Sequence, residues 1–376
     1  MGNEACWRDE FPVVREMAFF NHSAVSPLPR RAREAGVAVF DDRWLRASMD
    51  YFRWLDVVRD ARERAARLLG TAPAQVAFTG NTSSGLSLVA AGLPWREGDR
   101  VAVTWPDFPT LRFPFDALAG RGVHLVEIPR REGRIDLTEA ATLIPGCRLV
   151  VASTVDWTTG AALDVAGLAA LCRREGALLC LDAIQSLGVL SLDVTALGVD
   201  FVAAGCHKLQ LGPMGLGIFY VAPGREELLA PVMVGWRSME DEEHLGNTYR
   251  LKAGAGRFEA GTQDVAAIAA YGASLSLLEE VGLPLVRERI FAVQDLLRAG
   301  LLDRGFTILS PQGPAERSSI LSFAHPDPVG LFRYFMEHGV MVSPRGAGIR
   351  LSPHFYNNAT DVDRFFERLD AYCPAA

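Results

Sequence analysis

The sequence has 376 residues, of which 49% are hydrophobic and 22% are charged, a balance that is ordinary for a folded globular protein with more than one domain. Its net charge of −7, from 38 basic and 45 acidic residues without a dense Lys/Arg cluster, argues against a nucleic-acid-binding surface. No apolar run approaches the roughly 20 residues of a membrane-spanning helix, and no secretory signal is visible. The six cysteines are scattered without a C-x-x-C pair. We therefore expect a cytoplasmic protein without a membrane partner, a nucleic-acid partner or a metal site.

The first part of the chain alternates between helix-like and strand-like segments. An amphipathic segment runs from about Pro29 to Leu69, and later helices are predicted from about Ser84, Leu111 and Val165. The segments between them are short, nearly continuous apolar runs, which are typical of strands buried on both faces. The predicted strands are Gln75–Phe78, Arg100–Thr104, His124–Ile128, Arg148–Ser153, Leu178–Asp182, Phe201–Gly205 and Gly217–Val221. This alternation predicts an α/β fold with a mostly parallel sheet.

The C-terminal part of the chain has a different pattern. A long helical segment, roughly Val265 to Arg304, comes first. Short strand-like and helix-like runs follow it: strands at 306–310, 319–323, 340–343 and 348–351, and helices at 328–338 and 360–372. This order predicts a smaller α+β domain. We predict a large domain over residues 20–265 and a small domain over residues 266–376 that also includes about residues 1–19.

The segment from Phe78 to Leu86 resembles an anion-binding site. It follows a predicted strand, opens a predicted helix and contains the consecutive hydroxyl residues Thr82 and Ser83. Free backbone amides and the helix dipole at such a position favour a phosphate. An ordinary Ser/Thr helix cap is the alternative interpretation. A P-loop is excluded because no Gly-Lys-Ser/Thr follows.

Two neighbouring predicted strands end in polar residues. Asp182 and Gln185 follow one strand, and His207 and Lys208 follow the next. The carboxyl ends of strands border the ligand crevice of an open α/β sheet. A desolvated lysine and a nearby carboxylate are what pyridoxal phosphate (PLP) requires, the first for a Schiff base and the second for the ring nitrogen. Each residue taken alone also fits a solvated strand end or a helix cap.

Several of these motifs resemble the class V aminotransferase family of fold-type I PLP enzymes, which includes cysteine desulfurases, kynureninase and isopenicillin N epimerase. The motifs are Asp182-Ala-Ile-Gln185, His207-Lys208 and Gly212-Pro-Met-Gly-Leu-Gly217. The similarity extends from about Phe20 to about Phe366. The spacing Lys-x-x-x-Gly-Pro-x-Gly-x-Gly is similar to the epimerase branch. The resemblance implies the fold-type I architecture, with a mostly parallel seven-stranded sheet in the large domain and a smaller α+β C-terminal domain.

The resemblance also implies a set of cofactor-binding residues for PLP. Lys208 would carry the cofactor, Asp182 would face its ring nitrogen, and His207 would complete the catalytic group. Phe108 would stack on the ring, with a position in the core as the alternative. The remaining implied cofactor contacts are Gln185, Thr82 and Ser83 in the same subunit, and Thr262 from the opposite subunit of a homodimer.

The implied substrate residues lie near the two ends of the chain. Arg350 matches the arginine that holds a substrate α-carboxylate, and Asn21 and His22 match a segment that closes over the substrate. For His22, capping of the following turn is an equal alternative. No cysteine lies between Cys206 and Cys373, which argues against persulfide chemistry on a thiolate.

We therefore expect a homodimeric enzyme that acts on an α-amino acid or a related amine through an external aldimine. Transamination or C–S/C–X lyase chemistry is the first expectation, and epimerisation of the isopenicillin N epimerase type is the second. A catalytically silent PLP-fold binding protein is an alternative from a different class, disfavoured by the presence of Lys208. An NAD-binding Rossmann fold is disfavoured because no G-x-G-x-x-G follows an early strand.

Overall fold

The structure is a computed structural model that describes residues 4–242 and 248–373. Its strands are β1 (Ala18–Phe19), β2 (Val76–Thr79), β3 (Arg100–Trp105), β4 (His124–Arg131), β5 (Arg134–Ile135), β6 (Leu149–Ser153), β7 (Leu178–Asp182), β8 (Phe201–Gly205), β9 (Gly217–Val221), β10 (Leu321–Ala324), β11 (Val340–Met341), β12 (Ser343–Arg345) and β13 (Gly348–Leu351). Its α-helices are α1 (Glu4–Asp9), α2 (Arg30–Arg46), α3 (Tyr51–Leu69), α4 (Thr82–Gly92), α5 (Phe113–Asp116), α6 (Leu137–Leu143), α7 (Val165–Glu175), α8 (Val194–Leu197), α9 (Val265–Val281), α10 (Leu283–Asp303), α11 (Pro328–Glu337) and α12 (Ala359–Tyr372).

The main sheet has the strand order β2-β9-β8-β7-β6-β3-β4-β5. The five strands from β8 to β4 pair in parallel, whereas β9 runs antiparallel to both of its neighbours. The predicted α/β fold is confirmed, and each of the seven predicted strands is present. The eighth strand, β5, is a two-residue hairpin partner of the end of β4, too short to give an apolar pattern of its own.

The strand register brings the polar strand ends to one edge of the sheet. Asp182 at the end of β7 pairs with Ser153 at the end of β6 and with Ala203 in β8. The preceding residues of these strands are buried, except for the partly buried Leu178, as expected for parallel strands covered on both faces by helices. Polar side chains that follow the strands therefore converge at the carboxyl edge, where the candidate site lies.

Two of the predicted helices differ in the structure. The helix expected from about Leu111 is reduced to the four residues of α5, which begins at Phe113 with Pro114 in its first turn, because Pro114 could not donate in a helix that began at Leu111. The long segment after Val265 is two helices, α9 and α10, which are bent by 80° at their junction. Gly282 lies between them with φ of 82°, and Pro284 follows it.

The C-terminal strands form a separate three-stranded antiparallel sheet in the order β10-β13-β12. The expected strand at 306–310 is reduced to a single bridge between Ile308 and Phe323, and Pro311 has no amide hydrogen with which to extend it. A hydrophobic cluster around this sheet includes Phe20 from the N-terminal segment and Phe335 and Phe365 from α11 and α12. A domain boundary near residue 265 stays a prediction.

Helix α2 and the turn that follows it carry an unusually exposed apolar surface. Ala32 is the buried residue of α2. We call the exposed surface the α2–α3 patch, and it consists of Phe40, Trp44, Leu45, Met49 and Phe52, which are 61%, 82%, 70%, 78% and 79% exposed. Clusters of exposed apolar side chains are a common feature of interaction surfaces.

Within the described residues, no single helix is long and apolar enough to span a membrane. The bent pair α9 and α10 reaches the necessary length and composition only when its two helices are taken together.

Candidate active site

A cavity of about 330 Å³ opens at the carboxyl edge of the main sheet. It is bounded by the ends of β6 and β7, the segment after β8, the start of α4 and the β12–β13 hairpin. Its lining residues are Ser23, Ala24, Asn81, Thr82, Ser83, Asp107, Phe108, Thr110, Ser153, Val155, Trp157, Asp182, Ile184, Gln185, His207, Lys208, Arg345 and Arg350. The structure thus brings together eight of the eleven residues that the sequence predicted for the site.

Asp182 and Lys208 are the two ionisable groups at the centre of this cavity. Burial raises the pKa of Asp182 to about 7, although the amide of Ile184, 3.0 Å from Oδ1, and the charge of Lys208 both oppose that rise. Burial lowers the pKa of Lys208 to about 8, against the attraction of Asp182. A lysine in this state has a neutral, nucleophilic fraction at mildly alkaline pH.

The backbone around Lys208 is fixed by the N-terminal segment. Ser26 donates its Oγ–H to the carbonyl of Lys208 at 2.6 Å, and its amide donates to the carbonyl of His207 at 2.9 Å. Burial, together with the charge of Lys208, lowers the pKa of the neighbouring His207, which favours the neutral imidazole. Gln185 donates through Nε2 to the carbonyl of Ser23 at 3.1 Å, while its buried Oε1 has no partner within the described residues.

The start of α4 forms the opposite wall of the cavity. Asn81 caps the helix by accepting from the amide of Ser84 at 2.9 Å, and the first amides of α4 have no acceptor within the helix. Thr82 is buried and accepts the amide of Gly205 at 2.9 Å, which ties the helix start to the end of β8. Ser83 lies 3.0 Å from the hydroxyl of Thr110. This wall is suited to an anion.

Phe108 presents its ring to the cavity and does not lie in the core, because it is 46% exposed. Its centroid lies 5.5 Å from that of Trp157, with the two ring planes at 83°. The two rings form an apolar corner beside Lys208.

A buried ion pair beneath Phe108 was not anticipated from the sequence. Arg130, at the end of β4, donates to Asp107 at 3.0 Å, and both side chains are almost fully buried. Asp107 also accepts the amide of Phe108 at 2.7 Å, and burial raises its pKa against the attraction of Arg130. The pair therefore fixes the backbone that carries Phe108. Its partners are 23 residues apart, so no local pattern reveals the pairing.

Arg350 is 1% exposed, yet two of its donor atoms lack partners. Its Nη1 donates to the carbonyl of Trp157 at 2.7 Å, whereas Nε and Nη2 are buried without a hydrogen-bond partner in the described residues. Burial and the nearby charge of Arg345 lower the pKa of Arg350 to about 9. Unpaired buried donors are costly, and because Arg350 lines the cavity, these two are available to an anionic group there.

The carbonyls of residues 157–160, which we call the Trp157 turn, are all held by the C-terminal part of the chain. The carbonyl of Trp157 accepts from Arg350, and those of the next three residues accept from serine hydroxyls. These bonds are Ser322 to Thr158 at 2.5 Å, Ser310 to Thr159 at 2.5 Å and Ser318 to Gly160 at 2.7 Å. The wall of the cavity and the arginine are thus fixed to each other.

Three predicted site residues do not line the cavity. His22 is fully buried, donates through Nδ1 to the carbonyl of Ser352 at 2.8 Å and accepts the Tyr356 hydroxyl at Nε2 at 2.6 Å. Burial and neighbouring His354 lower its pKa well below the usual value, so it is a neutral structural residue here. Asn21 forms a bridge with Ser352, and the following residues Ser23 and Ala24 line the cavity instead.

Thr262 lies in a separate groove of the same chain. That groove also contacts Asn81 and Ser83 at the start of α4, and the exposed residues Val232 and Met233. Thr262 therefore lines a groove that reaches the start of α4, and it does not line the cavity.

Residues 50–365 of this chain match the family model described as aminotransferase class V. The chain belongs to the class V aminotransferase family. Among curated relatives, the probable cysteine desulfurase of Pyrococcus abyssi is 27% identical, with 96% of each chain covered. The isopenicillin N epimerase of Streptomyces clavuligerus is 30% identical, with 93% of this chain and 94% of the relative covered.

Solved structures of the class V aminotransferase fold match nearly the whole chain. The apo cysteine desulfurase of Thermococcus onnurineus NA1 has a TM-score of 0.88 at 25% identity and covers 98% of this chain and 97% of its own. A lysine-to-alanine mutant of C-DES, with glycine covalently linked to its PLP cofactor, has a TM-score of 0.90 at 25% identity and covers 96% and 98%. This class V aminotransferase is thus a PLP-dependent enzyme that acts on amino acids.

The side chains and backbone groups that line the described cavity are chemically suited to bind PLP. It combines a lysine of lowered pKa, a buried carboxylate, an exposed aromatic face and a helix start with free amides. The buried unpaired Oε1 of Gln185 adds an acceptor that has no partner within the described protein. When bound, PLP supplies an electron sink for negative charge that develops at the substrate Cα.

Proposed function

We propose that this class V aminotransferase transaminates an α-amino acid or related amine, or cleaves a C–S or C–X bond in it, with Lys208, Asp182 and Arg350 at the reacting centre. The observation that carries the proposal is the pair of unpaired buried donors on Arg350, which line the same cavity as the Lys208 amine. A planar guanidinium fork with two free N–H groups is complementary to a carboxylate.

Each cofactor-holding residue has a separate task in this proposal. Lys208 is the point of covalent attachment, and Asp182 holds a proton at the ring nitrogen through its negative charge. Phe108 covers one face of the ring, while Thr82 and Ser83 at the start of α4 bind the phosphate. Gln185 and His207 complete the polar lining, with the Oε1 of Gln185 free to accept a hydrogen bond.

Lys208 is also the proposed base that removes the Cα proton once its amine is free. Its pKa of about 8 places the neutral form within reach at mildly alkaline pH. Arg350 orients the substrate by its carboxylate, which fixes Cα relative to Lys208. Return of the proton to a different atom, or loss of a β-substituent, then decides the product.

Epimerisation is the second candidate because the epimerase of Streptomyces clavuligerus is 30% identical over most of both chains. Epimerisation requires that the Cα proton be returned to the opposite face. His207 is the other neutral nitrogen base among the described lining residues.

A thiolate-dependent desulfurase mechanism is not proposed, although several relatives carry that name. The lining residues given above include no cysteine. Burial raises the pKa of the thiols of Cys180 and Cys206 strongly, which keeps them protonated and unreactive.

We further propose a homodimer in which Thr262 of one subunit contacts the cofactor phosphate of the other. Thr262 lies in a groove beside the start of α4, and the exposed Val232 and Met233 border the same groove. The α2–α3 patch provides further apolar surface that a second copy would bury. A cytoplasmic location, without nucleic-acid or membrane partners, is part of the same proposal, supported by the free thiols of the described cysteines.

Product analysis separates the candidate reactions. The holoenzyme is incubated in D2O with a panel of amino acids, and 2-oxo acid, released β-substituent and D-isomer are each quantified. We expect 2-oxo acid or a released substituent together with Lys208-dependent exchange of the Cα hydrogen. Formation of the D-isomer alone would establish the epimerase, whereas PLP binding without any exchange at Cα would contradict enzymatic function.

A further inference from the structure

The β12–β13 hairpin places a second arginine in the cavity. Arg345 pairs with Gly348, and Ser343 pairs with Arg350, in antiparallel register. Paired residues and alternate residues of a strand point to the same face, so Arg345 and Arg350 are diagonal neighbours on one face of the hairpin. Both line the cavity.

Like Arg350, Arg345 has a hydrogen-bond donor without a partner in the described residues. Its Nη1 donates to the carbonyl of Pro344 at 2.8 Å, and its guanidinium lies 5.5 Å from the centroid of Trp157. Its Nε is buried without a hydrogen-bond partner in the described residues. Partial burial lowers its pKa, and no carboxylate of the described chain acts on it to offset that effect.

Two arginines held on one face repel each other unless an anion lies between or beside them. The carboxylates near the cavity are otherwise engaged, because Asp107 is paired with Arg130 and Asp182 is beside Lys208. The charge of Asp156 acts on Arg350, but this carboxylate also lies beside Arg130 and accepts from the hydroxyls of Thr158 and Thr159. One substrate α-carboxylate satisfies the fork of Arg350, which leaves the charge of Arg345 unmatched. The Trp157 ring, against which Arg345 packs, holds that charge in place.

We propose that the substrate is an α-amino acid whose side chain carries a second carboxylate, and that Arg345 binds this group. The proposal rests on the proposed function of Arg350 as the α-carboxylate ligand and adds the chemical class of the substrate. Arg345 is thereby a specificity-determining residue.

The experiment compares acid and amide pairs of equal shape, L-aspartate with L-asparagine and L-glutamate with L-glutamine. Binding to the holoenzyme is measured as the change in the cofactor absorbance during titration. We expect the acid to bind about 10- to 100-fold more tightly than its amide in at least one pair, the range for a charge-assisted hydrogen bond. Arg345→Gln should remove this preference, and Arg345→Lys should retain part of it.

The control variant is Arg174→Gln, on the exposed surface of α7, where Arg174 pairs with the adjacent Glu175. It should leave both the preference and the melting temperature unchanged. Equal affinity for acid and amide in the wild type, or a preference that survives Arg345→Gln, overturns the proposal while leaving the proposed function intact. A protein that takes up no PLP, or whose cofactor spectrum responds to no amino acid, overturns the proposed function as well.

Discussion

The Nζ atom of Lys208 lies 5.9 Å from the centroid of the Phe108 ring. This places the amine beside an apolar face in a cavity that also contains the carboxylate of Asp182. Burial lowers the pKa of the amine to about 8, and the nearby charges of Arg350 and Arg345 act in the same direction, whereas Asp182 opposes them. The neutral, nucleophilic form of the amine is thereby accessible at mildly alkaline pH.

Borohydride reduction of the holoenzyme should attach the pyridoxyl group to Lys208. The sequence contains only one other lysine, Lys252, whose Nζ lies 2.6 Å from Glu242. Peptide mass mapping therefore has two lysines to distinguish, and Lys252→Ala is the matched control. Labelling of Lys252 in place of Lys208, or an unchanged cofactor spectrum in Lys208→Ala, would disprove the assignment.

Asp182→Asn should retain PLP but lose roughly 100-fold or more in turnover, because a neutral amide cannot hold the proton at the ring nitrogen. Asp193→Asn is the control, since Asp193 only caps α8 at the surface. Turnover and bound PLP are measured together for both variants. Wild-type turnover in Asp182→Asn would show that Asp182 is structural and does not assist the reaction.

Replacing Lys208, whose amine is a buried cation at low pH, by an apolar residue should stabilise the apo-protein. Folding lowers the pKa of Lys208 from 10.5 to about 8. Between pH 8 and pH 10.5 the unfolded chain therefore binds more protons than the folded chain. The contribution of Lys208 to stability rises with pH over this range. At pH 6, Lys208→Met should therefore melt a few degrees above the wild type, because Asp182, with its raised pKa, is mostly neutral there. The gain should shrink as the pH rises towards 10. A lower melting temperature at pH 6 would show that the charged amine stabilises the fold.

Arg350→Met should lower kcat/KM by about 10- to 100-fold, the loss expected for a charge-assisted carboxylate contact. Ser318→Ala is the control, because Ser318 also holds the Trp157 turn, by donating to the carbonyl of Gly160, but does not line the cavity. It should cost about 1–3 kcal/mol of stability for the unpaired buried carbonyl, with KM unchanged. An equal change in KM in both variants would mean that Arg350 acts only by holding the turn.

Two inactive variants should restore activity when their subunits exchange. Lys208→Ala removes the reactive amine, and Thr262→Arg blocks the proposed contact with the partner's phosphate site. A heterodimer collects both lesions in one site and leaves the other site intact, as two-fold symmetry requires. If subunit exchange is verified and no activity returns, the proposal that the two subunits share each site is wrong.

The strands and the central residues could be predicted because their signals are local. An apolar run that ends in a polar residue marks the end of a buried strand, which is how Asp182 and Lys208 were found. The Asp107–Arg130 pair and the position of His22 could not be predicted in this way, because each depends on partners that the fold alone brings together. The proposed role of Thr262 would depend on a second chain, so a single chain cannot reveal it.

The hydrogen bonds of the Trp157 turn also set the order in which the site is assembled. Its four carbonyls accept from side chains that lie 193, 164, 151 and 158 positions further along the chain. During synthesis from the N-terminus, Asp182 and Lys208 therefore emerge well before the residues that complete the substrate-binding wall. Contacts of such sequence separation form late in folding. A nascent chain thus acquires Asp182 and Lys208 first, and it gains the capacity to select a substrate only after the residues up to Arg350 have been made.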